Sequence, residues 1–289
     1  MVATNNFDAE NAIISTKTGV SYKAVLPDGS AFAIKRLGQL RHPNLVPLLG
    51  FCVVVEEKFL VYKHMPNGTL YSQLHGGSLI GLGNGKFEFL DWSNRLRIGV
   101  GVARGLASLH HGCQPLYVHQ YFSSNVVLLD DDFDARIADF GLARLMGSRD
   151  SNDSSFMNGD LGEFGYVAPE YFSTMVASLK GDVYSFGVVL LELVTGQIGV
   201  SNAEEGFKGN LVDRVSQLFS TGQSKDAVDK ALVGKGHDDE IMQFLRIACT
   251  CAVPRPKDRL SMYQAMNISA FVYGIFGFKA LSAIGMITT

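Results

Sequence analysis

Asp182 opens a run of twelve residues, 183–194 (VYSFGVVLLELV), in which only Tyr184, Ser185 and Glu192 carry polar side-chain atoms, and Gly196 closes it. A helix that is apolar on every side has to be buried. The acid at its start and the glycine past its end read as its caps. Such a helix needs a large body of chain to cover it, and 289 residues, at roughly 150 per domain, suggest about two domains or one bilobed one. With 47% hydrophobic and 18% charged residues, a disordered chain is excluded.

The segments before this helix read differently. Residues 20–26 alternate as a strand, Pro27, Asp28 and Gly29 make a turn, and 31–36 resume the strand, as a hairpin does. Residues 51–55 and 59–65 repeat the pattern around Glu56, Glu57 and Lys58. Asp91 then stands as an N-cap, and Trp92, Leu96, Gly99, Ala103, Leu106 and His110 recur along one helical face of about five turns. Strands first and helices afterwards predict an α+β chain in two lobes.

Several function classes drop out. A net charge of −3 supplies no basic stripe for a phosphate backbone, so nucleic acid is not an expected partner. Cys52, Cys113, Cys249 and Cys251 are too few and scattered for a disulfide framework, and no CxxC pair is present, which points to a reducing compartment without structural zinc. The start, MVATNNFDAENAI, lacks the basic and apolar regions of a secretory signal, so a cytoplasmic location is expected for the chain as written. Residues 81–86 (GLGNGK) imitate a phosphate loop. They fail on spacing, with Ile80 where a glycine is needed and Phe87 where Ser or Thr is needed, so they read as a flexible insertion. Residues 150–160 (DSNDSSFMNGD) form a polar loop.

Four short motifs occur in a fixed order: AFAIK at 31–35, ADFG at 138–141, APE at 168–170 and DVYSFG at 182–187. Here the sequence resembles a protein kinase. The phrases ATNNF, LRHPNLVPLLGFC and MPNGTLYSQLH are similar to the cytoplasmic kinase domain of a plant leucine-rich-repeat receptor-like kinase. The resemblance covers about 3–265, with a β-rich N-lobe at about 3–65, a helical C-lobe at about 66–265, and 266–289 left as an atypical apolar tail.

Phosphoryl transfer needs a loop over the phosphates, a lysine on them, a glutamate orienting that lysine, magnesium ligands and a carboxylate that accepts the hydroxyl proton. By resemblance, Lys35 is the lysine, and Asn125 and Asp139 are the magnesium ligands of a remnant nucleotide site. The three glycine positions of the phosphate loop hold Ile14, Thr16 and Gly19, and its valine position holds Ser21, so β-branched side chains stand where backbone must approach phosphate. Only six residues, 36–41, separate Lys35 from His42, too few for the αC helix and its glutamate, since a mean helix takes about 11 residues. The catalytic loop reads HQYFSSN at 119–125. Tyr121 occupies the base position, and a phenol with a pKa of about 10 stays protonated at neutral pH. Ser123 stands in the loop-lysine position and Gln120 in that of the arginine that reads a phosphorylated activation segment. No competent catalytic residue is left.

Asn125 and Asp139 also suit plainer roles, as a loop cap and a backbone hydrogen-bonder. By resemblance, Glu170 with Arg259 forms a buried ion pair and Asp182 anchors backbone, roles that belong to the fold. His42, His64, His110 and His111 read as surface or boundary histidines and His119 as packing against the DFG turn. Cys249 and Cys251 read as core and boundary residues. In residues 268–289, 14 of 22 are apolar and Lys279 is the only charge. A transmembrane helix is the sharp reading and a packed or aberrant tail the favoured one, because a central lysine costs about 2.5 to 3.5 kcal/mol in a bilayer.

The expected function is that of a receptor-like pseudokinase domain that regulates or scaffolds another receptor kinase's cytoplasmic domain. ATP and magnesium are expected to bind weakly or not at all, and the family implies the cytoplasmic face of the plasma membrane. The alternatives are an active serine/threonine kinase with a divergent loop and a truncated product that does not fold.

Overall fold

The computed structural model describes residues 12–16, 19–25, 31–35, 41–54, 57–76, 90–113, 116–140, 163–199 and 209–272. Three antiparallel strands, β1 (Ala12–Thr16), β2 (Gly19–Val25) and β3 (Ala31–Lys35), lie in the order β1-β2-β3. The expected hairpin is β2 and β3, with Tyr22 opposite Ile34 and Val25 opposite Ala31. β1 was not anticipated as a strand, although its sequence, AIIST, is rich in the β-branched residues that strands favour.

A second antiparallel pair, β4 (Leu48–Val54) and β5 (Glu57–Tyr62), begins earlier on both sides than the sequence suggests, with an irregularity between Leu48 and Gly50. Met65, read as the strand's end, lies beyond it and is buried. No helix occurs between β3 and β4 among the described residues, and Leu48, Leu49 and Val61 are exposed. The chain is fastened to the C-lobe here. Leu45 bridges Ile137, Val46 N donates to Ile137 O at 2.8 Å, and Asn44 Nδ2 donates to Ala135 O at 3.0 Å.

The C-lobe is helical, apart from β6 (Val127–Leu129) and β7 (Ala135–Ile137). Its helices are α1 (Leu70–His75), α2 (Trp92–His111), α3 (Tyr171–Thr174), α4 (Leu179–Thr195), α5 (Leu211–Ser220), α6 (Asp238–Cys251) and α7 (Met262–Val272). Asp91 caps α2 as expected, accepting from Asn94 N. The apolar run is α4, with Gly196 in the left-handed region past its end. Its start needs correcting: Ser178 is the N-cap, accepting from Gly181 N, and Asp182 sits inside the first turn. The serine is the better cap because its short hydroxyl reaches a free first-turn N–H, which leaves the Asp182 carboxylate for the catalytic loop. Cys251 is buried and Cys249 half-buried, as expected. The helix α7 runs through residue 265, and residues 273–289 lie outside the described residues, as do the insertion 81–86 and the polar loop 150–160. No helix among the described residues is long and apolar enough to cross a membrane.

Fourteen of the seventeen residues of α4 are buried, against α2 on one side and α6 on another. The fit to α6 is closest at Gly187, where an added Cβ would stand 2.9 Å from Ala248 O, Ala252 N and Cys251 Cβ. Two of these are backbone atoms, so the helices would have to part. Gly187→Ala is therefore expected to cost roughly 1 to 3 kcal/mol of stability by overpacking, despite the gain of about 1 kcal/mol in helix propensity. A denaturant titration of the two proteins checks this.

Candidate functional site

The site is built on the loop between α2 and β6. Asp182, 2% exposed, accepts His119 N at 2.7 Å and Gln120 N at 2.8 Å. His110 Nε2 also donates to it, at 2.9 Å. His110 is thus no surface histidine: it is 1% exposed, because it continues the apolar face of α2 and finds a carboxylate there. The same clamp holds Gln120 with φ at +76°, a backbone shape that non-glycine residues rarely take.

His119 packs against Phe122 with ring centroids 5.3 Å apart and donates from Nε2 to Ala138 O at 2.8 Å, just before the DFG turn. Its buried Nδ1 has no partner among the described residues. Burial holds the imidazole below the ordinary histidine range, against the opposing pull of Asp182, the Ala138 bond and Asp139.

Tyr121 lines an open cleft together with Gln120, Val167, Ala168 and Glu170. Its hydroxyl accepts from Gln120 Nε2 at 3.1 Å, so the two side chains expected in the arginine and base positions engage each other. Ser123 is buried, and its hydroxyl accepts from Asn125 N at 3.2 Å. Asn125 Nδ2 donates to both carboxylate oxygens of Glu163 at 3.0 Å. Asp139 is exposed with φ at +56°, and no hydrogen bond joins it to Asn125 among the described residues. Lys35 ends β3, and its side chain lies outside what the structure describes.

Three residues not selected from the sequence complete the site. Tyr62, at the end of β5, packs with Leu128 on a small buried cluster of Val46, Met65 and Ala138. Its hydroxyl is buried without a partner among the described residues, and burial together with the charge of Asp139 pushes its pKa up to about 12. Glu192, fully buried in α4, accepts from Tyr166 Oη at 2.7 Å, from His75 Nε2 at 3.2 Å and from Gly199 N at 3.3 Å. The third is Glu163, which accepts from Asn125 Nδ2. Carboxylates paired across such sequence distances leave no local spacing to read. The structural roles inferred for Glu170 and Arg259 do appear, as a bidentate pair with both contacts at 2.7 Å.

The oxygens of Asn125 and Asp139 suit magnesium chemically. The surroundings do not fit a clamped magnesium nucleotide. Ile14 and Thr16 stand in β1, paired with Ser21 and Gly19, so side chains replace the bare backbone that phosphates approach. Asn125 is committed to Glu163 through its amide nitrogen.

Comparison with known proteins agrees with this frame. The family model described as protein tyrosine and serine/threonine kinase matches residues 30–264. A protein of Arabidopsis thaliana named as a "Probable inactive receptor kinase" is 65% identical over 297 residues, covering 95% of this chain and 48% of that protein. Another from the same plant, named as a "Probable LRR receptor-like serine/threonine-protein kinase", is 57% identical over 297 residues, with the same coverage of 95% and 48%. The chain thus spans about half the length of the curated relatives it matches. Among solved structures, the pseudokinase domain of BIR2, described as an immune regulator of the RLK/Pelle family, superposes with a TM-score of 0.69 at 50% identity, covering 100% of this chain and 89% of that one.

Proposed function

We propose that this chain, which belongs to the protein tyrosine and serine/threonine kinase family, is a receptor-like pseudokinase domain that regulates or scaffolds the cytoplasmic domain of another receptor kinase. The observation that carries this reading is Tyr121. It fills the base position with a phenol whose oxygen is already engaged by Gln120, on a loop clamped by the buried Asp182. The "inactive" and "pseudokinase" names of similar proteins support it. The domain is taken as residues 3–265, divided near 65 into its lobes, with 266–289 as a tail. The place proposed for it is the cytoplasmic face of the plasma membrane, which the receptor-kinase names of similar proteins support.

Magnesium ATP binds this domain weakly or not at all. Lys35, Asn125 and Asp139 offer charge, but charge without preorganisation gives little affinity. The second reading, an active serine/threonine kinase, draws on the retained Asn125 and Asp139 and on the second relative's name. It fails at Tyr121.

Without catalytic output, the domain acts by differential binding, favouring one state of a partner by covering a surface that the partner needs. Ser151, Ser154 and Ser155 offer an active partner phosphorylation sites in an already acidic stretch, where each phosphate adds about −1.5 to −2 charge. A pull-down against a panel of receptor-kinase cytoplasmic domains tests this. Binding to at least one member is expected, weaker when the three serines are changed to Asp than to Ala. Binding to none removes the scaffold reading, and equal binding by both variants removes only the charge effect.

A further inference from the structure

The activation segment of a kinase is ordinarily held by a phosphate on an arginine of the catalytic loop, and Gln120 stands in that arginine's place. Yet the end of this segment is tied down. Tyr166 N donates to Glu163 O at 3.1 Å, which closes a turn containing Gly165 at φ +96°. Tyr166 itself is 3% exposed. Its hydroxyl gives its proton to Glu192 at 2.7 Å, so Ser124, 2.9 Å away, donates to the tyrosine oxygen. Ser185 Oγ donates to Tyr166 O at 2.7 Å. Ser124 belongs to the catalytic loop and Glu192 and Ser185 to α4, so one tyrosine joins three parts of the C-lobe. At the near end, Glu163 takes the side chain of Asn125, one residue beyond Ser124.

We propose that Glu163 on Asn125 and Tyr166 on Ser124 and Glu192 form a phosphate-independent latch, which keeps the end of the activation segment on the catalytic loop in a single arrangement. The carboxylate of Glu163 supplies permanently the anion that a phosphate supplies conditionally, and it docks on an amide rather than an arginine. The inference deepens the pseudokinase reading and rests on it for its meaning: a surface held this way needs no activating enzyme to be presented. Phosphates on Ser151, Ser154 or Ser155 then have no lever on residues 163–176.

Amide hydrogen exchange on the isolated full chain tests the latch without a partner, so a failed pull-down and a failed latch are separate results. Tyr166→Phe leaves the buried Glu192 carboxylate short of a donor and is expected to speed exchange in 163–176 by about ten- to a hundredfold. Glu163→Ala removes a more exposed contact and is expected to speed it about two- to fivefold. Asn125→Asp sets two carboxylates against each other, and Glu163→Gln added to it restores the wild-type rate. This pair keeps the question answerable if Tyr166→Phe fails to fold. Changing Ser151, Ser154 and Ser155 together to Asp is expected to leave these rates within about twofold of wild type. A change of more than about twofold in either direction in that serine variant overturns the proposal, unchanged exchange in Tyr166→Phe overturns the tyrosine arm, and unchanged exchange in Glu163→Ala or Asn125→Asp overturns the glutamate arm.

Discussion

Incubated with labelled magnesium ATP, the purified chain is expected to phosphorylate itself or a generic peptide no faster than its Asp139→Asn variant. The loss of a general base alone removes about 10² to 10⁴ in rate. In the base position that the family resemblance implies, the Tyr121 ring would also crowd the attacking hydroxyl, beside a cleft it lines itself. Ser123 cannot neutralise the transferred group, and its hydroxyl is turned to Asn125 N. The six residues between Lys35 and His42 are too few for the helix whose glutamate would hold Lys35 in one pose. These defects lie in different elements, so repairing one does not restore the rest. Tyr121→Asp is expected to remain at the same background, and a magnesium-dependent thermal shift with ATP is expected to be absent or confined to millimolar nucleotide. Label incorporation by the wild-type chain above the Asp139→Asn control contradicts the assignment of Tyr121.

Much of the frame was legible in the sequence because it rests on local periodicity. The α2 face and its Asp91 cap, the β2–β3 hairpin and the apolar α4 with Gly196 past its end all follow from spacings within one element. The errors came where a side chain serves a distant partner. His110 falls on the apolar face of α2 and yet reads as a surface or boundary residue, because nothing local reveals that Asp182 lies 72 positions away. Asp182 suits a helix cap, since an acid in a first turn fits the dipole, yet the structure bears out its other expected role, as a backbone anchor: its partners are amides of another loop. Glu192 is the sharper case. One carboxylate in an apolar helix signals a buried partner, but the choice of His75 and Tyr166 comes from tertiary packing alone. The residue types at Tyr121, Ser123 and Gln120 stand out in the sequence by identity alone, because a missing chemical group needs no geometry to be noticed.

Replacing Arg259 by Ala is expected to lower the stability of the C-lobe by about 3 to 5 kcal/mol, the cost of breaking a buried ion pair from one side. Arg259 is 2% exposed. Two of its nitrogens meet the Glu170 oxygens at 2.7 Å, and its donors also reach Val253 O, Lys180 O and Pro254 O at 2.8, 2.8 and 2.9 Å. Its guanidinium lies over the Tyr184 ring at 5.0 Å. Alanine would strand a carboxylate and three carbonyls at once, at the junction of the APE motif, α4 and the segment before α7. Lysine keeps the charge but not the planar fork, so Arg259→Lys is expected to recover only a minor part of the loss. Glu170→Gln keeps a neutral acceptor for one arm of the fork and should cost less than Arg259→Ala, since all the carbonyl contacts survive. Denaturant titration of the three variants gives the order Arg259→Ala, Arg259→Lys, Glu170→Gln from most to least destabilised. A loss below about 1 kcal/mol for Arg259→Ala would place the pair among surface bridges, where such contacts contribute little. Because the pair sits outside the catalytic loop, the same cost is expected whether or not Tyr121 is replaced by Asp, and additivity of the two changes separates this role in folding from any role in chemistry.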